Sequence, residues 1–280
     1  MMEIGLAGII LILMNIGFSI KGFNDRIFFG RFVFEVQQVL YFKQYYRLVT
    51  SGFLHVSWPH LIFNMISLYA FSDPIEIGLG VPQFLCIYFA GLVGGNVFSL
   101  FIHRHHHNYS AAGASGAVCA IVFACIAIYP DMGIGLFGLP LSIPGWVYGV
   151  LYVLFSIYGV KSVKNNIGHD AHLGGALVGM FVGVAFYPIA FLYNYWVILA
   201  IALPVVVFIY LIITKPHILL IDNYYFKQKR PYYNIDQAYN AEKLATQDEI
   251  DNILDKISRN GIKSLTPVER EKLKAFSGEG

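Results

Sequence analysis

The sequence predicts an all-α, polytopic membrane bundle, and three observations carry that reading. Hydrophobic residues make up 57% of the 280 and charged residues only 13%, against roughly 25% charged in soluble domains. Mean hydropathy is +0.60. Seven apolar stretches run along the chain, most of them close to the ~20 residues that cross a hydrocarbon core about 30 Å thick. Backbone polar groups find no water in lipid and must be satisfied within the segment, so the stretches are read as helices.

The first stretch, Gly5 to Ile20, has no basic residue before it and no small-residue cleavage site before Lys21, so it is read as a retained helix and not as a signal peptide. The segment from Gly22 to Pro59 mixes Phe and Tyr with Lys21, Arg26, Arg31, Lys43 and Arg47 at its edge and within it. Amphipathic rings and long basic side chains favour the headgroup level, so this segment is expected to be an ordered interfacial structure. The second stretch, His60 to Ile77, follows Ser57-Trp58-Pro59, which reads as an N-cap and first turn. The third runs from Phe84 to Ile102. His103, His105, His106 and His107 come next; with no Asp, Glu or Cys at ligand spacing they read as a solvated, pH-sensitive loop, and no metal is expected.

The fourth stretch, Gly113 to Tyr129, makes about 25 Å of helix, short of the roughly 30 Å core. Either the bilayer thins there or the helix starts below the surface, at the floor of a cavity reached by the preceding loop, which would give Ser115 access to water without facing lipid. Trp146 to Val160, Ala171 to Ile189 and Tyr195 to Ile213 complete the set. Cys86, Cys119 and Cys125 all fall inside apolar stretches as small buried hydrophobes, with no disulfide framework. Residues 1–190 are expected to form a six-helix core and 191–214 an additional helix. Residues 215–240 read as a linker and 241–280 as a small soluble helical hairpin. In that hairpin Thr246 with Glu249 and Thr266 with Glu269 read as capping boxes, Ile250, Ile253, Leu254 and Ile257 as an apolar stripe, Asn260-Gly261 as a stop, and the second helix runs to about Phe276. It is either a solvated tail or a docking element for a partner.

Three polar clusters stand inside the apolar stretches: His60 with Asn64, Gly113-Ala114-Ser115-Gly116, and His172 followed by Gly175, Gly179 and Gly183. Polar side chains at membrane depth are costly and usually line a cavity that does something. A serine hydroxyl becomes a nucleophile when a base within hydrogen-bond reach takes its proton, and the oxyanion then formed needs donors aimed at it. Ser115 and His172 can supply the first pair; His60 and Asn64, four apart on one helical face, can supply the second. Gly175, Gly179 and Gly183 form a stripe of absent side chains on the face that carries His172, and Gly116, Ala120 and Ala124 form another. Small residues at that spacing let two membrane helices pack with their backbones close. Each cluster alone has ordinary readings as packing, proton relay or a transport path. A transporter would show an internal repeat, and none is visible.

Taken together in this order, the clusters resemble the rhomboid intramembrane serine proteases, over about Gly5 to Tyr187. The matching residues are His60-x-x-x-Asn64, Gly113-x-Ser115-Gly116, and Ala171-His172 with Gly175 and Gly179. Tyr46-Arg47 stands where the family has a Trp-Arg pair, and Ile75-Glu76 with Leu79-Gly80 is similar to its second-helix ending. The resemblance implies a six-helix catalytic core, with Ser115 as nucleophile, His172 as general base and then acid, and His60, Asn64 and the Ser115 amide as oxyanion donors. It also implies that the chain cleaves transmembrane protein substrates in the bilayer of a bacterial plasma membrane, with no cofactor and no nucleic-acid partner. One departure bears on the base: many members carry an aromatic ring four residues after the serine, stacked on the histidine, and here that position is Cys119. Either the base is held less firmly or another ring holds it, and the first case keeps open a rhomboid-like pseudoprotease that binds membrane helices without cutting them.

With seven spans, all 19 Lys and Arg residues fall on one side, while the other carries acids such as Asp73, Glu76 and Asp131. The positive-inside rule then puts the C-terminal tail and the mouth of the cavity in the cytoplasm. The resemblance implies the opposite opening for a bacterial member, and the long first loop, being folded, is exempt from strict counting.

Overall fold

The computed structural model describes residues 5–104, 106–135, 142–161 and 168–214, together with 250, 253, 254, 256, 257, 264–266, 269, 270 and 273 of the C-terminal region. Two compact units are present, Met1–Arg230 and Pro231–Gly280.

The first unit is a helical bundle. Its helices are α1 (Leu6–Asn24), α2 (Arg26–Phe32), α3 (Val36–Leu40), α4 (Arg47–Thr50), α5 (Trp58–Leu79), α6 (Val81–Ile102), α7 (Ser115–Ile128), α8 (Gly145–Lys161), α9 (His169–Phe186) and α10 (Ile189–Thr214). Two short antiparallel ladders accompany them: β1 (Phe34–Glu35) with β2 (Ser110–Ala111), and β3 (Gly133–Gly135) with β4 (Ser142–Pro144). Each of the seven apolar stretches is helical, as α1 and α5 to α10. Among the described residues four helices, α1, α6, α9 and the Ile189–Leu211 part of α10, are long and apolar enough to cross a membrane. The helical membrane bundle is thereby supported and the count of seven spans is not: among the described residues α7 and α8 are apolar but shorter, and α5 carries Asp73, Pro74 and Glu76 in its last turns.

Helix α7 is the centre of the bundle. Every residue from Gly116 to Ile128 is buried, so neighbouring helices, and not lipid, surround it. It is shorter than the sequence suggests because it begins at Ser115 itself, after an Ala114 N-cap in the αR region. At its other end Asn194, where α10 kinks with φ −116°, donates from Nδ2 to the Ala127 and Ile128 carbonyls at 3.0 and 3.2 Å. Those are among the carbonyls a helix end leaves without an intrahelical partner.

Helix α1 is fastened to α5 through its own N-terminus. Glu76 accepts from the Ala7 and Gly8 amides at 2.8 Å each, and Asp73 accepts from the Gly5 amide at 3.1 Å. Two carboxylates from one helix thus serve the orphan donors of another, where the helix dipole also favours negative charge. Helix α5 starts as its sequence suggests, with Ser57 Oγ accepting from the His60 amide at 3.4 Å. It ends at Gly80, whose φ of +104° is a left-handed conformation open mainly to glycine.

The segment between α1 and α5 is ordered, and its organiser is a buried arginine. Arg47 is 5% exposed and donates to the Gly30 carbonyl at 2.9 Å, the Val33 carbonyl at 2.6 Å and Gln44 Oε1 at 2.7 Å, with Glu35 at 3.9 Å. The expectation that basic side chains here reach for headgroups fails for this residue. Its planar fork is spent on carbonyls that the short helices leave unpaired.

In the second unit Ile250, Ile253 and Leu265 are buried, with Ile257 and Leu273 packed against them. Leu254, expected in the same stripe, is instead 49% exposed; it directly follows Ile253 and so lies about 100° round the helix from it. Thr266 and Glu269 form the reciprocal cap, the Thr266 amide donating to Glu269 Oε2 at 2.7 Å and the Glu269 amide to Thr266 Oγ1 at 3.3 Å. Thr246 with Glu249, Asn260-Gly261, Phe276 and the linker 215–240 lie outside the described residues.

Candidate active site

Ser115 is the first residue of α7 and is half-buried, between the buried Ala114 and Gly116. The first intrahelical bond runs from the Val118 amide to the Ala114 carbonyl at 2.9 Å. The amides of Ser115, Gly116 and Ala117 therefore stand at the helix head without an intrahelical acceptor, and the helix dipole adds partial positive charge there.

The loop that delivers the chain to Ser115 is held by the ordered segment before α5. β2 pairs with β1, with Phe34 opposite Ala111 and Glu35 opposite Ser110. The Gly113 amide donates to the Ser51 carbonyl at 3.1 Å, and the Ala114 amide to His55 Nε2 at 3.5 Å. Asn96 of α6 ties the same segment down, donating to the Leu48 carbonyl at 2.8 Å and to Ser51 Oγ at 3.1 Å. His55 is fully buried. Ser19 Oγ donates to the Phe53 carbonyl at 3.1 Å and lies 2.8 Å from His55 Nδ1, so Nδ1 carries the imidazole proton and Nε2 is free to accept from Ala114. Burial first, and the neighbouring His60 second, push the His55 pKa down from 6.5 to about 3.

Gly113 takes a φ of +147°, and a Cβ there would lie 2.6 Å from Cε1 of His60. Backbone conformation and space both demand glycine, and the result is that the His60 ring lies directly on the loop before Ser115. His60 Nδ1 is buried with no hydrogen-bond partner among the described residues. An unprotonated nitrogen is the cheaper one to leave unpaired, which puts the ring proton on Nε2. Asn64, 4% exposed, donates from Nδ2 to the His60 carbonyl at 3.0 Å, using one of its two N–H groups.

His172 is in the first turn of α9, and α9 crosses α7 at backbone contact. A Cβ on Gly175 would lie 2.1 Å from the Gly116 carbonyl oxygen, one on Gly179 2.2 Å from Ala120 Cα, and one on Gly183 2.8 Å from Ala124 Cβ. Both glycine-and-alanine stripes thus stand in one crossing. Gly116 follows Ser115 directly and Gly175 is one turn after His172, so nucleophile candidate and base candidate leave the crossing at the same end. Helix α6 closes the third side: a Cβ on Gly95 would lie 2.6 Å from the Ala171 carbonyl oxygen.

Tyr152, Asp170 and His103 surround His172, and none of them was assigned to the site from the sequence. Tyr152 of α8 places Oη 2.9 Å from His172 Nδ1 and 3.1 Å from Cys119 Sγ, with ring centroids of Tyr152 and His172 6.2 Å apart. So a ring does accompany the histidine although position 119 is cysteine, and it comes from a different helix. Asp170 is buried and accepts from Ser99 Oγ and, at 3.5 Å, from Tyr109 Oη. His103 Nε2 lies 3.3 Å from Asp170 Oδ2 and its ring stacks on Tyr109 at 3.6 Å. This corrects the reading of His103 as part of a solvated loop. An acid at the head of an apolar stretch, two residues before His172, was the available clue to Asp170. Among the described residues no cluster of His, Cys, Asp and Glu could hold a metal ion.

A rhomboid domain matches residues 43–189, and a family of unknown function matches residues 233–279. The chain is similar to the "RHOMBOID-like protein 12, mitochondrial" of Arabidopsis thaliana, at 33% identity over 60% of this chain and 54% of the relative. It is similar to the "Rhomboid protein 1, mitochondrial" of Saccharomyces cerevisiae at 26% over 60% and 52%, and to the "Rhomboid protease GluP" of Bacillus subtilis at 28% over 51% and 26%. The chain spans about half the length of the first two of these relatives.

Proposed function

The chain belongs to the rhomboid family, and from that premise we propose that it is an intramembrane serine endopeptidase in which Ser115 and His172 form the catalytic dyad. One observation carries the proposal: Ser115 heads a helix that is buried from Gly116 to Ile128 and whose first amides lack an intrahelical acceptor, at the end of a glycine crossing that packs α9, the helix of His172, against it.

The chemistry follows from those positions. His172 Nε2 takes the proton of Ser115 as Oγ attacks the scissile carbonyl, and later returns it to the leaving amine. The oxyanion is met by the amide at the head of α7, by Nε2–H of His60 and by the second N–H of Asn64. Gly113 is the residue that lets His60 approach; Gly116, Gly175 and Gly179 set the distance between the helices. Water then hydrolyses the acyl-enzyme by the reverse proton path.

The substrates proposed are single-span membrane proteins. A peptide bond in a continuous helix is shielded, so attack by a recessed serine needs local unwinding, which glycine eases by about 1 kcal/mol relative to alanine. Cleavage is therefore expected near the membrane boundary beside small residues. No cofactor and no nucleic acid enters this reading, and the lipid bilayer is its medium. Relatives come from mitochondria as well as from a bacterium, so the proposal names an integral membrane protein and no particular membrane.

The test uses the purified chain in detergent with a labelled transmembrane peptide. Wild-type cleavage at a boundary site, mapped by mass spectrometry and abolished in both Ser115→Ala and His172→Ala, supports the reading. Residual proteolysis in either variant, or scission only in soluble loops, sinks the dyad. The pseudoprotease alternative rested on a loosely held base, and the Tyr152 hydroxyl on His172 Nδ1 weakens it.

A further inference from the structure

On the reading that His172 is the general base, we propose that Tyr152 is its positioning residue: with Cys119 behind it, Tyr152 holds His172 in the tautomer that leaves Nε2 free to accept the proton of Ser115.

The geometry is a chain of three side chains from three helices. His172 Nδ1 of α9 lies 2.9 Å from Tyr152 Oη of α8, and Oη lies 3.1 Å from Cys119 Sγ of α7. Such a chain can run in two directions. If Nδ1–H donates to Oη and the hydroxyl donates on to Sγ, Nε2 keeps its lone pair. In the reverse direction S–H donates to Oη and O–H to Nδ1, which moves the ring proton to Nε2 and removes the base. A thiol is a weak partner in either role, so the useful direction needs only that sulfur accept the phenolic hydrogen.

A carboxylate more commonly fills this orienting place, holding the base by its second nitrogen. Asp170, two residues before His172, is not available for it, being engaged by Ser99, Tyr109 and His103. The phenol oxygen is the group that meets Nδ1. Its ring is held by Tyr148, stacked at 5.8 Å and 27°, and by Phe123 at 5.7 Å.

Cys119 has a second part in this. Its sulfur already stands at hydrogen-bond distance from Oη, so any larger side chain at 119 would occupy the space of the Tyr152 hydroxyl. A ring on α7 one turn after Ser115 and a ring reaching in from α8 are thus mutually exclusive ways of steadying the same histidine. This chain has taken the second, which accounts for a cysteine where the resemblance leads one to expect an aromatic residue.

Tyr152→Phe keeps the ring and its stacking and deletes only the acceptor. The tautomer is read directly from imidazole 15N shifts of the detergent-solubilised protein, with the His172 signals identified by their loss in His172→Gln. The wild type is expected to carry the proton on Nδ1, and Tyr152→Phe to show a mixture or the Nε2–H form. In cleavage assays kcat is expected to fall about 10- to 100-fold, part of the roughly 10²–10⁴-fold that a positioned base supplies, with KM within twofold. Cys119→Ser keeps an acceptor and is expected to retain the wild-type tautomer. A wild-type His172 protonated on Nε2, or a Tyr152→Phe variant with unchanged tautomer and kcat, overturns the proposal. So does a fall in kcat matched by a rise in KM and a loss of thermal stability, the signature of a packing role. Wild-type protein that has the Nδ1–H tautomer, loses it in Tyr152→Phe and yet cleaves no peptide supports the positioning while overturning the protease reading.

Discussion

Gly175 and Gly116 meet with no room for a methyl group between them: a Cβ on Gly175 would stand 2.1 Å from the Gly116 carbonyl oxygen. The obstacle is backbone, which cannot swing aside as a flexible side chain can. Gly175→Ala must therefore push α9 off α7 and widen the crossing that sets the distance between Ser115 and His172. The expected outcome is destabilisation of about 1–3 kcal/mol, the range for overpacking, together with a larger loss of cleavage. Thermal unfolding in detergent and turnover of a labelled peptide measure the two; wild-type values for both would show that the helices are not held where the glycines bring them.

Asn64 spends one N–H on the His60 carbonyl and is proposed to aim the other at the oxyanion. A donor that meets charge only in the transition state acts on kcat. Asn64→Ala is expected to lower kcat by on the order of 10²-fold with little change in KM. A rise in KM alone would make Asn64 a binding or packing residue.

The carboxylate of Glu76 serves two amides of α1 while Asp73 serves one. Hydrogen bonds to charged groups contribute about 1.5–3 kcal/mol each, so Glu76→Ala should lower the midpoint of thermal unfolding more than Asp73→Ala. Hydrogen exchange should locate the loss in the first turns of α1. Equal and small effects from both variants would mean that α1 is held by its apolar contacts instead.

His55 predicts a pH dependence of stability. Its pKa is depressed in the fold from 6.5 to about 3, so between those values the unfolded chain binds the extra proton and the folded chain does not. Stability from this group is therefore complete above about pH 6.5 and declines as pH falls towards 3, with a slope of up to about 1.4 kcal/mol per pH unit. His55→Gln retains polar groups and removes the titration. Its unfolding midpoint should vary less steeply with pH over that window; an unchanged slope would assign the acid sensitivity elsewhere.

What the sequence disclosed follows the range of its signals. Helix periodicity, the Ser57 cap and the small-residue stripes are local patterns, and the helices and the α7–α9 crossing lie where those residues stand. Lengths were harder to read, because α7 is enclosed by protein along its whole course and need not match the bilayer as a lipid-facing helix must. The partners of His172 were not legible. Tyr152 stands in an apolar stretch among other aromatics, and only the packing of α8 against α7 and α9 singles it out. His55 was hidden for the same reason, since its contacts are with Ser19 and Ala114, far from it in the chain. Arg47 looked interfacial by composition, and the carbonyls that draw it inside exist only once the short helices around it have formed.

The α7–α9 crossing also orders events in time. Chains are made from the N-terminus at about 5–20 residues per second, so Ser115 and the loop residues that hold it emerge on the order of seconds before His172. Throughout that interval the nascent chain carries the proposed nucleophile without the proposed base. On the proposed dyad, completion of α9 is the step that brings a base to the waiting hydroxyl, so the site is assembled only once the last of its helices is made.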